Sequence, residues 1–354
     1  MALRVVQWAT GSVGVAAIRA VLEHPDLELV GCWVHSTDKA GRDVGDIIGS
    51  APIGVRATDS VEEILALDAD AVVYAPLLPD VEQVAALLRS GKNVVSPVGW
   101  FYPSESEAAP LQAACRDGGV SLHGAGIGPG GATELLPLLV SVMSTGITHV
   151  RAEEFSDLRT YGAPDVLRHV MGFGGTPESA LRGPMQKLLN GGFFQSVRLI
   201  VDRLGFAAEP VIRTSQQVAV ASAPIDSPIG VIAPGEVAGR RFCWDAVVTN
   251  AVVVRIAVNW LMGEEHLDPA WSFGPAGERY EMEVRGNPNA FVTVKGWQPE
   301  SVEEGLVSNP GVVATAAHCV NSIPATCAAA PGIVGFFDLP PLTGRAAPMF
   351  ARPD

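Results

Sequence analysis

The stretch that most constrains the fold is VVQWATGSVGVAAIRAVLEH, residues 5 to 24, where an apolar run halts at two glycines and resumes with helical spacing. Leu3 to Trp8 reads as a short buried strand. From Val13 to Glu23 the small and apolar positions Ala16, Ala17, Ala20 and Val21 recur with a helix's period. A second strand, LELVGCWV at 27 to 34, closes the unit within about 30 residues, the length of a strand, crossover helix and parallel strand. The turn itself is Ala9-x-Gly11-x-x-Gly14, with alanine in place of the first glycine of the dinucleotide-binding fingerprint. Alanine is small enough for a tight turn, Gly11 lets a pyrophosphate approach the backbone, and Gly14 lets the helix pack closely on the strand. The N–H groups of Ser12, Val13, Gly14 and Val15 are then predicted to face the anion.

Strand and helix keep alternating to residue 130: helix at 60 to 67, strand at 69 to 76, helix at 80 to 90, strand at 92 to 97, helix at 104 to 117, then VSLHGAGIGPG. That alternation builds a doubly wound parallel sheet, an α/β Rossmann domain whose ligands bind beyond the carboxyl ends of the strands. Ala75, Pro76 and Leu77, Ser96 and Pro97, and Gly128 and Pro129 are therefore predicted to line the nicotinamide half of the site. After the second strand the chain reads His35-Ser36-Thr37-Asp38-Lys39-Ala40-Gly41-Arg42, with no acid at the strand end for a ribose 2′-OH. His35, Ser36 and Lys39 fall where a 2′-phosphate would sit, so NADP is the expected cofactor and NAD the alternative.

From about residue 147 strand-like segments follow one another, with one helical insert between 164 and 205. Such a run predicts a second, α+β domain on an antiparallel sheet. The expected organisation is 1–135 for the dinucleotide domain, 136–309 for the substrate and dimerisation domain, and 310–354 for a helix and tail returning to the first. A sheet containing AVVVRIAVNW is predicted to bury a face in a homodimer.

Charge narrows the partners. The net charge of −14 and the lack of a Lys/Arg run argue against nucleic acid and anionic membrane. The N-terminus is too short in apolar residues for a signal peptide, and Arg255 and Asn259 interrupt the densest apolar run, so a soluble cytoplasmic protein is expected. Five cysteines form no C-x-x-C pair or Cys/His cluster, and neither H-E-x-x-H nor G-x-S-x-G occurs; no metal is expected. Cys319, beside His318, reads as helix packing.

The segments QWATGSVG, GKNVVSP…FYP, GIGPG…LLPL, FSDLRTYGAPDVL…VMGFG and NSIPATCAAAPG resemble the actinobacterial dihydrodipicolinate-reductase-like family, related to 2,4-diaminopentanoate dehydrogenase and the native amine dehydrogenases. The resemblance spans nearly the whole chain. It implies an NAD(P)-binding Rossmann domain, an open-faced second domain that dimerises, and reductive amination of a small ketone or aldehyde, or its reverse. The His-His…Lys loop of true dihydrodipicolinate reductases is not found. Where the amine dehydrogenases carry a glutamate and two asparagines, this chain has PVGW at 97 to 100, Gly128 and Ser156. Holding neutral ammonia and protonating a carbinolamine is work for a tuned carboxylate. Its absence predicts weak amination, and leaves a carbonyl reductase/alcohol dehydrogenase or a dinucleotide-binding sensor without turnover as alternatives. The catalytic candidates are Asp157 and Tyr161, on the segment resembling the substrate wall, and His123, near the sheet's carboxyl edge. Val98, Tyr102, Ser156, His169 and Met171 are the expected pocket residues.

Overall fold

The computed structural model describes residues 2–207 and 211–350; the last four residues of the predicted tail, 351–354, lie outside it. The chain forms two compact units, residues 1–130 with 312–354, and residues 131–311.

In the first unit, β1 (Leu3–Trp8) pairs in parallel with β2 (Leu27–Trp33) on one side and β4 (Ala71–Tyr74) on the other. The sheet extends through β3 (Ala57–Thr58) beyond β2, and through β5 (Asn93–Ser96) and β6 (Ser121–Gly124) beyond β4. All these pairings are parallel. Strand order therefore reverses between β1 and β4, the place where doubly wound sheets bind ligands. A feature absent from the sequence reading is a C-terminal strand, Gly332–Val334, which joins the sheet in parallel beside β6.

Every residue of β4, β5 and β6 is buried, as a sheet covered on both faces requires. On one face Ala17, Ile18 and Val21 of helix α1 (Ser12–Glu23) share a core with Cys319, Val320 and Ile323 of the helix Pro310–Ala328. On the other, Val84, Leu87, Leu88, Leu111 and Cys115 pack with Trp8, Trp33 and Tyr74. There the Trp8 and Trp33 rings stack with centroids 4.4 Å apart.

The second unit is built on β7 (Thr145–Asp157), β8 (Arg213–Ala221), a small hairpin of β9 (Ile225–Ser227) and β10 (Gly230–Ile232), β11 (Val237–Val248), β12 (Ala251–Leu261), β13 (Leu267–Asp268), β14 (Arg279–Asn287) and β15 (Ala290–Val294). Seven of these form one sheet in the order β13-β8-β11-β12-β7-β14-β15. It is antiparallel except where β12 runs parallel to β7, so the sheet is mixed. The helical insert between β7 and β8 carries the chain back before the β8–β11–β12 meander begins, and β12 arrives beside β7 in the same direction.

The two faces of this sheet differ. One buries Phe242, Trp244, Val254, Ile256 and Met282, and the helix Met185–Leu204 covers it, with Phe193 stacked on Trp244 at 4.3 Å. The other carries a charge ladder. Arg151 bridges Glu153, Glu281 and Glu283; Arg241 reaches Glu153; and Arg255 pairs with Asp245 at 2.6 Å. The apolar residues of AVVVRIAVNW are thus largely covered by the chain's own helix, which removes the exposed apolar patch on which the dimer was argued.

Candidate active site

The turn after β1 has the geometry of an anion cradle. Gly11 caps α1 without a side-chain bond to the helix's first N–H groups. Val15 N–H donates to the Gly11 carbonyl at 2.9 Å, so Val15 drops out of the predicted anion-facing set. Ser12, Val13 and Gly14 keep first-turn N–H groups, which with the helix dipole favour negative charge. A Cβ on Gly11 would meet no atom within 4 Å, leaving room for a phosphate, whereas one on Gly14 would lie 2.2 Å from the Ala9 carbonyl oxygen. Ala9 itself is left-handed, with φ 72°. The turn therefore fits a dinucleotide's pyrophosphate, and needs at position 9 a conformation that glycine adopts more cheaply.

Beyond β2, His35 is exposed and Ser36 half-buried. Ser36 Oγ donates to Asp38 at 2.5 Å, and that bond holds the Asp38 carboxyl below the usual carboxylate range. Lys39 Nζ donates to Thr10 Oγ1 at 3.2 Å, which puts its charge beside the turn.

The other predicted wall segments follow the carboxyl ends of β4, β5 and β6. Ser96 Oγ ties two of these ends together, donating to the Tyr74 carbonyl at 3.0 Å and accepting from Val98 N–H at 3.2 Å. Ala75 is buried and Pro76 half-buried, while Leu77 is exposed. Pro97, Val98, Gly99 and Tyr102 are half-buried, as is Pro129, and Gly128 is exposed. Trp100 turns under the loop with φ 62°, and Gly124 makes room: a Cβ there would lie 2.7 Å from both Gly99 O and Phe101 N.

His123 is next to last in β6 and so does lie near the carboxyl ends of the strands, but its side chain has no exposed surface with which to meet a substrate. It is wholly buried within β6, donates from Nδ1 to the Val334 carbonyl at 2.8 Å, and meets the Phe336 ring edge-on. Burial pushes its pKa down to about 4. His318 stacks on the same Phe336 ring and donates to the Gly126 carbonyl at 2.7 Å, supporting the loop after β6 from behind. Cys319 is buried, its thiol pushed up to about 12, as packing rather than nucleophilic chemistry demands.

In the second unit Asp157 is buried and grips Arg159, accepting from Nε at 2.9 Å and Nη2 at 2.5 Å. Tyr161 is half-buried, and burial raises its phenol. Ser156 Oγ donates to Glu154 at 2.8 Å. His169 is exposed, whereas Met171 is buried.

Asp157 and Arg159 line a cavity of about 530 Å³ with Met262, His266, Phe273 and Glu278. Glu278, which sequence reasoning missed, accepts a hydrogen bond from Asp157 N–H, and burial pushes its carboxyl up to about 7. Nothing in its local sequence, PAGERYE, marks it; the fold brings it to Asp157 across 121 positions.

Among the described residues no group of three His, Cys, Asp or Glu could hold a metal, and no helix is long and apolar enough to cross a membrane.

Known proteins match both units. Residues 133–349 match the 2,4-diaminopentanoate dehydrogenase C-terminal domain, and residues 5–114 the dihydrodipicolinate reductase N-terminus. An amine dehydrogenase of Streptomyces virginiae is 32% identical over 361 residues, covering 96% of this chain and 97% of that one. The 2,4-diaminopentanoate dehydrogenase of Acetoanaerobium sticklandii is 25% identical over 96% of this chain and 93% of its own length. The solved amine dehydrogenase of Mycobacterium smegmatis shares the fold, with a TM-score of 0.77 at 24% identity over 97% of each chain. On these matches the chain belongs to the family of the amine dehydrogenases and 2,4-diaminopentanoate dehydrogenase, and is a nicotinamide-dinucleotide-dependent oxidoreductase of the amine dehydrogenase type.

Proposed function

We propose that the chain interconverts a small carbonyl compound and its amine using NADP(H) in preference to NAD(H). The observation that carries the cofactor choice is the Lys39 ammonium, 3.2 Å from Thr10 at the phosphate turn, with Asp38 engaged by Ser36. A 2′-phosphate would meet Lys39, Ser36 and His35, with Arg42 nearby in sequence. Ala9, Gly11, Ser12, Val13 and Gly14 would hold the pyrophosphate, and Ala75, Pro76, Leu77, Ser96, Pro97, Gly128 and Pro129 the nicotinamide end. The dinucleotide supplies or accepts the hydride. The residues assigned to the substrate are Val98 and Tyr102 of the first unit and Ser156, His169 and Met171 of the second, each considered within its own unit. Tyr161 is the better proton donor of the remaining pair, because Asp157 is committed to Arg159. Fluorescence titration tests the cofactor choice. NADPH is expected to bind more tightly than NADH, and Lys39→Ala to weaken NADPH about tenfold while sparing NADH; tighter NADH binding by the unaltered chain would overturn it.

The missing carboxylate favours carbonyl reduction without ammonia as a second reading. A Cβ on Gly99 meets nothing within 4 Å, so a glutamate side chain has space to enter there. NADPH oxidation with a ketone panel should depend weakly on ammonia in the unaltered chain and more strongly in Gly99→Glu, general acid–base assistance being worth roughly 10²–10⁴-fold. Fast amination by the unaltered chain would send the search for the base to Tyr161, Asp157 or Glu154.

The charged face of the second sheet is the surface we assign to a homodimer. Light scattering should give twice the 37.0 kDa chain mass, and a single-chain mass would remove the assignment. Five unpaired cysteines, four of them buried, accord with a cytoplasmic setting.

A further inference from the structure

Gln7 stands inside β1 between Val6 and Trp8, level with Cys32 of β2 and Val73 of β4, and is 1% exposed. A primary amide buried among apolar neighbours is costly unless it is bonded. Its Nε2 donates to two successive carbonyls, Trp8 O and Ala9 O, each at 3.0 Å. Its Oε1 is buried without a hydrogen-bond partner among the described residues. As a packing choice this is poor, because an apolar residue of the same shape would avoid an unsatisfied oxygen.

What the amide does hold is the phosphate turn. The Ala9 carbonyl it grips belongs to the one residue of the turn that is left-handed without being glycine, at φ 72°. Across a planar trans peptide the N–H of Thr10 points opposite to the Ala9 C=O. Fixing that carbonyl toward Gln7 therefore turns the Thr10 N–H the other way. Gly14 closes the same triangle: a Cβ on it would sit 2.2 Å from Ala9 O and 3.1 Å from Gln7 Nε2.

We propose that Gln7 is a positioning residue for the dinucleotide turn, holding Ala9 in the left-handed conformation that the absent first glycine would adopt unaided. The inference rests on reading the Ala9–Gly14 turn as the pyrophosphate site. It predicts that stability and binding part company. Gln7→Met, similar in volume and apolar, should melt no lower than the unaltered chain by more than a few degrees, yet bind NADPH and NADH about tenfold more weakly, within the range of coupling between touching residues. In an Ala9→Gly background the same change should cost less than about threefold, because glycine needs no clamp.

The experiment is a titration of the full chain and of three variants, Gln7→Met, Ala9→Gly and the two combined, with both reduced cofactors, alongside ligand-free melting. Equal Kd values for Gln7→Met and the unaltered chain would overturn the proposal. So would a loss as large in the Ala9→Gly background as with Ala9 in place, or weakened binding matched by a proportionate loss of stability. If Gln7→Met does not fold alone, a folded, binding double variant supports the clamp, and a double variant that also fails to fold overturns it. No binding of either cofactor by the unaltered chain would defeat the site reading itself, a result distinct from all of these.

Discussion

Strand β5 of the first sheet and strand β14 of the second take their sequences, NVVS and RYEMEVRGN, into opposite surroundings. Every residue of the former is buried, because helices cover both faces of a parallel sheet. In the latter, Met282 and Val284 enter a core while Glu281 and Glu283 join a ladder with Arg151, Arg279 and Arg285. The first sheet buries only scattered polar side chains, among them Asn93, Ser96, Ser121 and His123, each hydrogen-bonded to backbone, and its candidate ligand-binding segments lie at the strand ends. The second keeps a whole face ionic. Their responses to mutation and acid should differ accordingly.

The largest effect is expected where helix α1 packs closely on the turn after β1. Gly14→Ala gains some helix propensity but drives a methyl group to within 2.2 Å of a backbone oxygen, and the clash wins. Overpacking against backbone should cost about 3 kcal/mol or more, read as a drop in the denaturation midpoint.

Acid should separate the two sheets next. His123 has its pKa lowered from 6.5 to about 4 by burial, so between those values the unfolded chain binds the proton and the folded one does not. Stability from this residue is complete above 6.5 and is lost as pH falls toward 4, by on the order of 3 kcal/mol. Glu278 works the other way: burial raises it from 4.5 to about 7, so its contribution falls as pH climbs through that interval. Urea titrations across pH 4.5 to 7 should show a flatter acid limb in His123→Gln and a flatter neutral limb in Glu278→Gln. Identical profiles for both variants and the unaltered chain would erase the distinction.

Breaking the ladder should cost less. Arg151→Met removes one cation from Glu153, Glu281 and Glu283, but Arg241, Arg279 and Arg285 remain to them. The ladder is partly solvated, so about 1–2 kcal/mol is expected in a chemical melt. If this face joins two copies, the same variant should also shift scattering mass toward the single chain.

Gly11→Ala should change stability least, within about 0.5 kcal/mol, since its Cβ has open space. Its effect belongs to binding: NADPH affinity should fall at least about tenfold while the melt stays put. Together with Gly14→Ala it separates the glycine that admits a ligand from the glycine that admits a helix.

How much of this was legible in the sequence depended on the distance over which each feature is determined. The alternation to residue 130 and the turn at Ala9–Gly14 are local patterns, and both were readable. The left-handed Ala9 and its Gln7 clamp were not, because neither the spacing nor the residue types encode φ. That His123 lies near the carboxyl ends of the strands is readable from its place in VSLHGAG; its enclosure beside Gly332–Val334 is not, because a three-residue strand 211 positions away from its partner leaves no periodic signal. The ladder did have a signal: alternating charges at Arg151 and Glu153, and at Glu281, Glu283 and Arg285, mark one wet face of a sheet. Glu278 had none.

The strand Gly332–Val334 also bears on how the chain is made. A ribosome moving at about 5–20 residues per second delivers that strand roughly 10–40 s after β6, because roughly 200 residues lie between them. During that interval the edge of β6 lacks its neighbour, His123 lacks its carbonyl partner, and the helix carrying Cys319 and Ile323 has not yet been synthesised. The second unit, encoded wholly within the gap, is complete first. The amino-terminal unit is thus the later of the two to finish, with an open strand edge exposed to other nascent chains until the carboxyl-terminal segment emerges.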